Sequence, residues 1–257
     1  MEFNKKVALI TGGTSGIGFA VAKRLAQKGA KIVIVGRNEE KGKKALDVLT
    51  QIHSDIRFIP CDVTKGEKVK GMVERTFRSY GRLDFAFNNA ANDEIPFKHT
   101  DQFTEEDYDI LINVTLKSVW LCMKYELKVM SRQGYGVIVN TSSIDALLCS
   151  AGTAVYSAGK SGVIALTKSI AQEYGRQGIR INTVSPGAIR TPLLEKKFRN
   201  TTAEKAAILE KRYKDLTALG RIGSPEEAAS VVMWLFSNES SYITGQNIIV
   251  DGGVSFI

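Results

Sequence analysis

The chain has 257 residues, 44% of them hydrophobic and 24% charged, with a formal net charge of +8. These are ordinary proportions for a soluble globular protein long enough to bury a substantial core, and no low-complexity tract or internal repeat interrupts them. Three scattered cysteines (Cys61, Cys122, Cys149) argue against a disulfide framework, and His53 and His99 stand in unrelated contexts that make no zinc constellation.

From the N-terminus, the apolar run Val7–Ile10 predicts a strand and is too short for a signal-peptide core or a membrane span. It runs straight into "TGGTSGIG", with Gly12, Gly16 and Gly18 spaced T-G-x-x-x-G-x-G. Glycines there let backbone approach a ligand closely, and the N-terminus of the next helix offers N–H groups and a positive dipole end to a pyrophosphate. That helix carries Ile17, Val21 and Leu25 on one stripe and stops near Gly29. The second strand, Ile32–Val35, leads into "GRNEEK". An acid about 20 residues beyond the glycine turn binds a ribose 2′-OH in folds of this kind. Here Gly36 stands at that place and Arg37 follows. The missing carboxylate removes repulsion, a guanidinium clamps a 2′-phosphate, and Thr14 and Ser15 add hydroxyl donors, so NADP(H) is expected over NAD(H).

Further strands are expected at Arg57–Pro60, Leu83–Phe87, Gly136–Asn140, Arg180–Val184 and Asn247–Val250. Several are apolar at nearly every residue, as strands covered on both faces are. Between them, Thr64 with Glu67, Thr104 with Asp107 and Ser224 with Glu227 have capping-box spacing, and Pro225 fits a first helical position. The alternation runs on without a linker, which predicts one doubly wound α/β domain over residues 1–257, its parallel sheet of about seven strands covered by helices on both faces. "AASVVMWLF" at 228–236 is far below spanning length, so a cytoplasmic protein with no membrane partner is expected.

Half the net charge lies in residues 193–221, where eight basic side chains (Lys196, Lys197, Arg199, Lys205, Lys211, Arg212, Lys214, Arg221) meet four acids (Glu195, Glu204, Glu210, Asp215). A solvated helix face and an attraction for an anionic substrate or cofactor both fit. The alternation with acids and the lack of interleaved aromatics speak against nucleic acid.

Between the fifth and sixth expected strands, "YSAGK" sets Tyr156 and Lys160 four residues apart, on one face of a helix. With the glycine turn and the motifs between them, the sequence resembles the short-chain dehydrogenase/reductase family, in its branch of about this length, from Thr11 to "DGG" at 251–253. "CDVT" carries Asp62 and Val63, the former matching the family's adenine contact. "NNAA" at 88–91 resembles N-N-A-G, with Ala91 for glycine, and supplies Asn89 and Ala90. "INV" supplies Asn113, and "VNTSS" supplies Ser143, thirteen residues before Tyr156. "NTVSPG" at 182–187, followed by Ile189 and Thr191, resembles the segment that closes over the nicotinamide. The resemblance implies a Rossmann-like fold and dinucleotide contacts from Gly12, Thr14, Ser15, Gly16, Ile17, Gly18, Arg37, Asp62, Val63, Asn89, Ala90, Tyr156, Lys160, Pro186, Gly187, Ile189 and Thr191.

Hydride transfer at a carbinol carbon needs a proton moved on or off the oxygen, which assigns Tyr156 as general acid/base. A lysine ammonium nearby favours phenolate, so Lys160 is expected to lower the phenol and, by the resemblance, to hold the nicotinamide ribose. Ser143 would hold the substrate oxygen, and Asn113 would fix a water leading from Lys160 to solvent. Blander uses stay open: a turn cap for Ser143, a strand-end hydrogen bonder for Asn113, a core aromatic for Tyr156, or a regulator without turnover, which the intact Tyr156, Lys160 and Ser143 argue against. Gly159 is expected to permit close packing on the cofactor. By family analogy the substrate pocket is walled by roughly 92–99, 144–153 and 188–215, mixing polar Asn92, Asp93, Glu94 and Asp145 with apolar Leu147, Leu148, Leu193 and Leu194. A polyol or sugar, a hydroxysteroid and a β-ketoacyl thioester all remain open. Helices around 104–130 and 155–175, with the C-terminal "VSFI", are expected to join copies into a homodimer or homotetramer.

Overall fold

The computed structural model describes residues 3–91 and 97–256. The seven expected strands form one parallel sheet: β1 (Val7–Thr11), β2 (Lys31–Gly36), β3 (Ile56–Pro60), β4 (Phe85–Asn88), β5 (Gly136–Thr141), β6 (Ile179–Pro186) and β7 (Asn247–Val250), in the order β3-β2-β1-β4-β5-β6-β7. Ten α-helices connect them among the described residues: α1 (Gly16–Gln27), α2 (Glu39–Thr50), α3 (Gly66–Tyr80), α4 (Glu105–Ile112), α5 (Ser118–Gln133), α6 (Asp145–Leu148), α7 (Ala154–Tyr174), α8 (Pro192–Arg199), α9 (Ala203–Asp215) and α10 (Pro225–Phe236). None is long and apolar enough to cross a membrane.

The uniform apolar runs conceal a strict alternation. Ala8 and Ile10, Ile32 and Ile34, Phe85 and Phe87, and Val137 and Val139 face the layer built by α1, α2 and α10. Leu9, Val33, Val35, Ala86 and Ile138 face α3, α5 and α7. The central strands β1, β2, β4 and β5 are therefore apolar on both sides, as a sheet between two helical layers requires. The chain reverses its direction of winding between β1 and β4, which opens a crevice at their carboxyl ends.

Local signals hold at most boundaries. Thr104 with Asp107 and Ser224 with Glu227 form reciprocal capping boxes, with Pro225 opening α10. The third expected box is absent. α3 begins at Gly66, and Thr64 turns its N–H and hydroxyl to Asp62 Oδ1 at 3.0 and 2.8 Å. The aspartate lies two residues away and captures the donors before a helix start can use them. β4 starts two residues later than expected, because Asp84 inserts its carboxylate as the acceptor of the Val7 N–H (2.9 Å) and pairs with Lys6 and Arg82.

Beneath the sheet lies a polar network unsuspected from the sequence. Asn88 Nδ2 donates to Glu126 Oε2 and to Asn140 Oδ1, both at 3.0 Å, and Asn140 Nδ2 donates to Thr167 Oγ1 at 2.9 Å. Glu126 Oε1 and Asn88 Oδ1, both acceptors, are buried without a partner. Burial pushes the Glu126 carboxyl up to about 7 against the lowering effect of Asn88. The folded protein thus keeps a proton that the unfolded chain releases above its ordinary value of 4.5, so stability falls as pH rises from about 4.5 through about 7. Glu126→Gln is expected to raise Tm by several degrees at pH 8 and to change it little at pH 4, a difference on the order of 3 kcal/mol. Thermal melts of both proteins across that range check it.

Candidate active site

A cleft of about 870 Å³ runs along the carboxyl ends of the strands. Its first wall is the glycine turn between β1 and α1. Gly12 and Gly16 hold φ of +65° and +54°, where a side chain is strained. A Cβ on Gly12 would meet Asn89 Nδ2 at 2.9 Å, and one on Gly16 would meet Thr191 Cγ2 at 3.2 Å. Thr11 Oγ1 accepts the N–H groups of Asn89 (3.0 Å) and Ala90 (3.2 Å), which ties the turn to the end of β4. The turn is thus a bare-backbone cradle ahead of a helix N-terminus, and it fits a pyrophosphate.

At the far end of β2, Gly36 lies against Thr14, whose Cγ2 would sit 3.0 Å from an added Cβ. Arg37, Asn38 and Lys41 line the cleft there. Asp62 is on the opposite side. Burial raises its carboxyl, but the Thr64 hydrogen bonds and the Arg37 and Lys65 charges outweigh that and hold it below the usual range.

The other end of the cleft holds the residues expected to carry the chemistry. Tyr156 and Lys160 lie on successive turns of α7, with Lys160 Nζ 5.9 Å from the Tyr156 ring centroid. Lys160 is buried, donates to the Thr141 carbonyl at 2.9 Å, and takes the Ser142 hydroxyl on its own carbonyl at 2.8 Å. Burial brings its ammonium down to about 8. Burial also pushes the Tyr156 phenol up to about 12; a hydrogen bond with Ser143 opposes the rise and the Asp145 charge adds to it. The expected lowering of the phenol by Lys160 is therefore corrected: the ammonium is directed at Thr141, and burial dominates.

Of the residues expected at the site, Gly12, Thr14, Ser15, Gly16, Ile17, Arg37, Asp62, Val63, Asn89, Ala90, Ser143, Tyr156, Lys160, Pro186, Gly187, Ile189 and Thr191 all line this one cleft. Two lie outside its lining. Gly18 sits behind the turn, where a Cβ would come 2.3 Å from Gly12 O. Asn113 opens a π-helical segment (Asn113–Lys117) between α4 and α5, its carbonyl accepting the Ser118 N–H, and its neighbour Val114 reaches the cleft. Gly159 packs on that segment and not on the cleft: a Cβ there would fall 2.1 Å from Thr115 Oγ1. Asn92, Asp93 and Glu94 lie outside the described residues.

The basic stretch divides. Lys211, Lys214 and Arg221 pair with Asp215, Glu210 and Glu227. Lys196 lines the cleft, and Lys197 lies half-buried over the Phe97 ring at 4.7 Å. Thr141 and Lys41 were missed from sequence, whereas Lys196 belongs to the basic segment for which attraction of an anionic substrate or cofactor was one of the two readings. Lys41 was legible as a second cation one helical turn beyond Arg37, whereas Thr141 acts through its backbone and leaves no side-chain signal.

Fold and cleft together define a dinucleotide-binding oxidoreductase of the doubly wound α/β type. A family model described as enoyl-(acyl carrier protein) reductase matches residues 12–255. Levodione reductase of Leifsonia aquatica is 36% identical over 256 residues, covering 99% of this chain and 96% of that protein. Cyclohexanol dehydrogenase of Acinetobacter sp. (strain SE19) is 38% identical, covering 98% and 95%, and a 3-oxoacyl-(acyl-carrier-protein) reductase of Thermotoga maritima is 37% identical, covering 99% of each. A crystal structure of levodione reductase superposes with a TM-score of 0.93 at 35% identity, covering 98% of both chains. The chain belongs to the short-chain dehydrogenase/reductase family. It is an NAD(P)-dependent dehydrogenase/reductase acting on CH–OH and C=O groups.

Proposed function

We propose that this protein is an NADP(H)-dependent oxidoreductase that interconverts a secondary alcohol and a ketone, with residues 1–257 acting as one catalytic domain. The observation that carries the reading is the convergence of Tyr156, Lys160 and Ser143 at one end of a cleft whose other end is the glycine cradle. When bound, the nicotinamide donates or accepts the hydride. Tyr156 holds its proton at neutral pH and gives it to the carbonyl oxygen as charge develops there. Ser143 donates a hydrogen bond to the same oxygen. Lys160, still largely charged at neutral pH and held by the Thr141 carbonyl, holds the ribose. Asn113 keeps the role of anchoring a water on the path to solvent, a reading supported by the π-helical break it opens, a feature common at functional sites.

The preference for the phosphorylated cofactor is supported by Gly36 standing against Thr14 in place of an acid, and by Arg37 and Lys41 beside it. Arg37→Gln is expected to raise KM for NADPH about tenfold and to leave KM for NADH within about twofold, since a charge-assisted bond at an exposed site contributes about 1.5 kcal/mol. A panel of cyclic, steroidal and β-keto carbonyl compounds run with NADPH and with NADH tests the whole reading; consumption of neither cofactor with any carbonyl would overturn it. Exposed Tyr108, Ile110, Trp120 and Phe256 support association into a homodimer or homotetramer.

A further inference from the structure

Asp145 opens α6, two residues beyond Ser143, and none of the chemistry above uses it. Its backbone N–H donates to Ser143 Oγ at 3.1 Å, and its Oδ2 lies 3.5 Å from the same oxygen. Ser150 Oγ donates to Oδ1 at 3.0 Å, so the carboxylate is held with its other oxygen turned to Ser143. α6 is itself anchored, because Ser161 of α7 donates to the Ala146 carbonyl at 2.9 Å. A fixed negative charge thus stands beside the hydroxyl that touches the reacting phenol.

Resting on the function proposed above, we propose that Asp145 is a positioning residue that orients the Ser143 hydroxyl and keeps Tyr156 in its proton-donating form, biasing the site toward carbonyl reduction. Two physical effects combine. The Asp145 N–H occupies one lone pair of Ser143, and the carboxylate competes for the hydroxyl proton that would otherwise stabilise a phenolate. Its charge also opposes a second negative charge nearby, which adds to the rise of the phenol that burial dominates. The groups facing this cluster are Lys160 from α7, directed at Thr141; Lys197 from α8, over Phe97; and Tyr213 from α9, which burial raises and the Asp145 charge raises further. Burial lowers Lys197 while Asp145 partly restores it, so the carboxylate acts on groups from three helices.

The test compares wild type, Asp145→Asn, Asp145→Glu and Ser150→Ala, using cyclohexanol oxidation with NADP⁺ and cyclohexanone reduction with NADPH across pH. The oxidation limb should move toward acid by about one pH unit in Asp145→Asn, the size of a single nearby charge in a partly buried site. Oxidation at a fixed pH on that limb then rises about tenfold relative to reduction. Asp145→Glu should keep the wild-type profile, and Ser150→Ala, which keeps the charge and loses only its tether, should move the limb less than Asp145→Asn does. Tyrosinate absorbance of each protein, minus that of its Tyr156→Phe counterpart, should show the same acid shift and needs no turnover. An unchanged limb and an unchanged tyrosinate titration in Asp145→Asn overturn the role given to Asp145. Failure of the wild-type protein to consume either cofactor with any carbonyl overturns the underlying function instead, while the tyrosinate titration still reads the role of Asp145, so the two failures are distinct.

Discussion

Tyr156→Phe is expected to lower kcat for ketone reduction by about a thousandfold while leaving NADPH affinity within about twofold of wild type. A positioned proton donor contributes roughly 10²–10⁴ in rate, and a thousandfold corresponds to about 4 kcal/mol of transition-state stabilisation. Removing one oxygen keeps the ring against Lys160 and costs the fold only the hydrogen bond with Ser143, about 1 kcal/mol. The glycine cradle is far along the cleft and loses nothing. Steady-state kinetics and a fluorescence titration with NADPH separate the two effects. A variant with both weak binding and slow turnover would mean that the phenol is a structural group.

The second large effect is expected from Gly18→Ala. The added methyl would come 2.3 Å from the Gly12 carbonyl oxygen and 2.8 Å from Asn89 Nδ2. Neither can retreat cheaply, because Gly12 is fixed in a left-handed conformation and Asn89 is fixed through Thr11 and Thr141. The turn must open, and the N–H groups aimed at the pyrophosphate move with it. NADPH should bind about a hundredfold more weakly, with a loss of about 1–3 kcal/mol in stability from overpacking. Gly71→Ala is the control: nothing lies within 4 Å of its added methyl in α3, so the substitution should stabilise the protein by up to about 1 kcal/mol. Calorimetric titration and melting of both variants check the contrast.

What the sequence made legible is what local chemistry dictates. β-branched runs placed the strands, and the boxes at Thr104 and Ser224 placed two helix starts, because each depends on residues within a turn. The cleft lining was legible because its residues sit at strand ends, where motif and position coincide. The departures are all matters of distant contact or burial. Thr64 went to Asp62 because two acceptors compete for one set of donors, and sequence spacing does not rank them. Gly159 serves Thr115, a partner on another element. Spacing alone placed Lys160 beside Tyr156, yet the sign of the phenol's shift depends on where the ammonium points and how deeply both groups lie. The Asn88–Glu126–Asn140 network joins three elements and has no local signature.

The most direct measurement follows deuterium from 4-deuterated NADPH into the alcohol product of a ketone accepted by the wild-type protein, alongside Tyr156→Phe. The label is expected on the carbon bearing the new hydroxyl, its transfer slowed by a primary isotope effect, and the variant should form almost no labelled alcohol. Label lost to water, or delivered equally well by the variant, would contradict this reading.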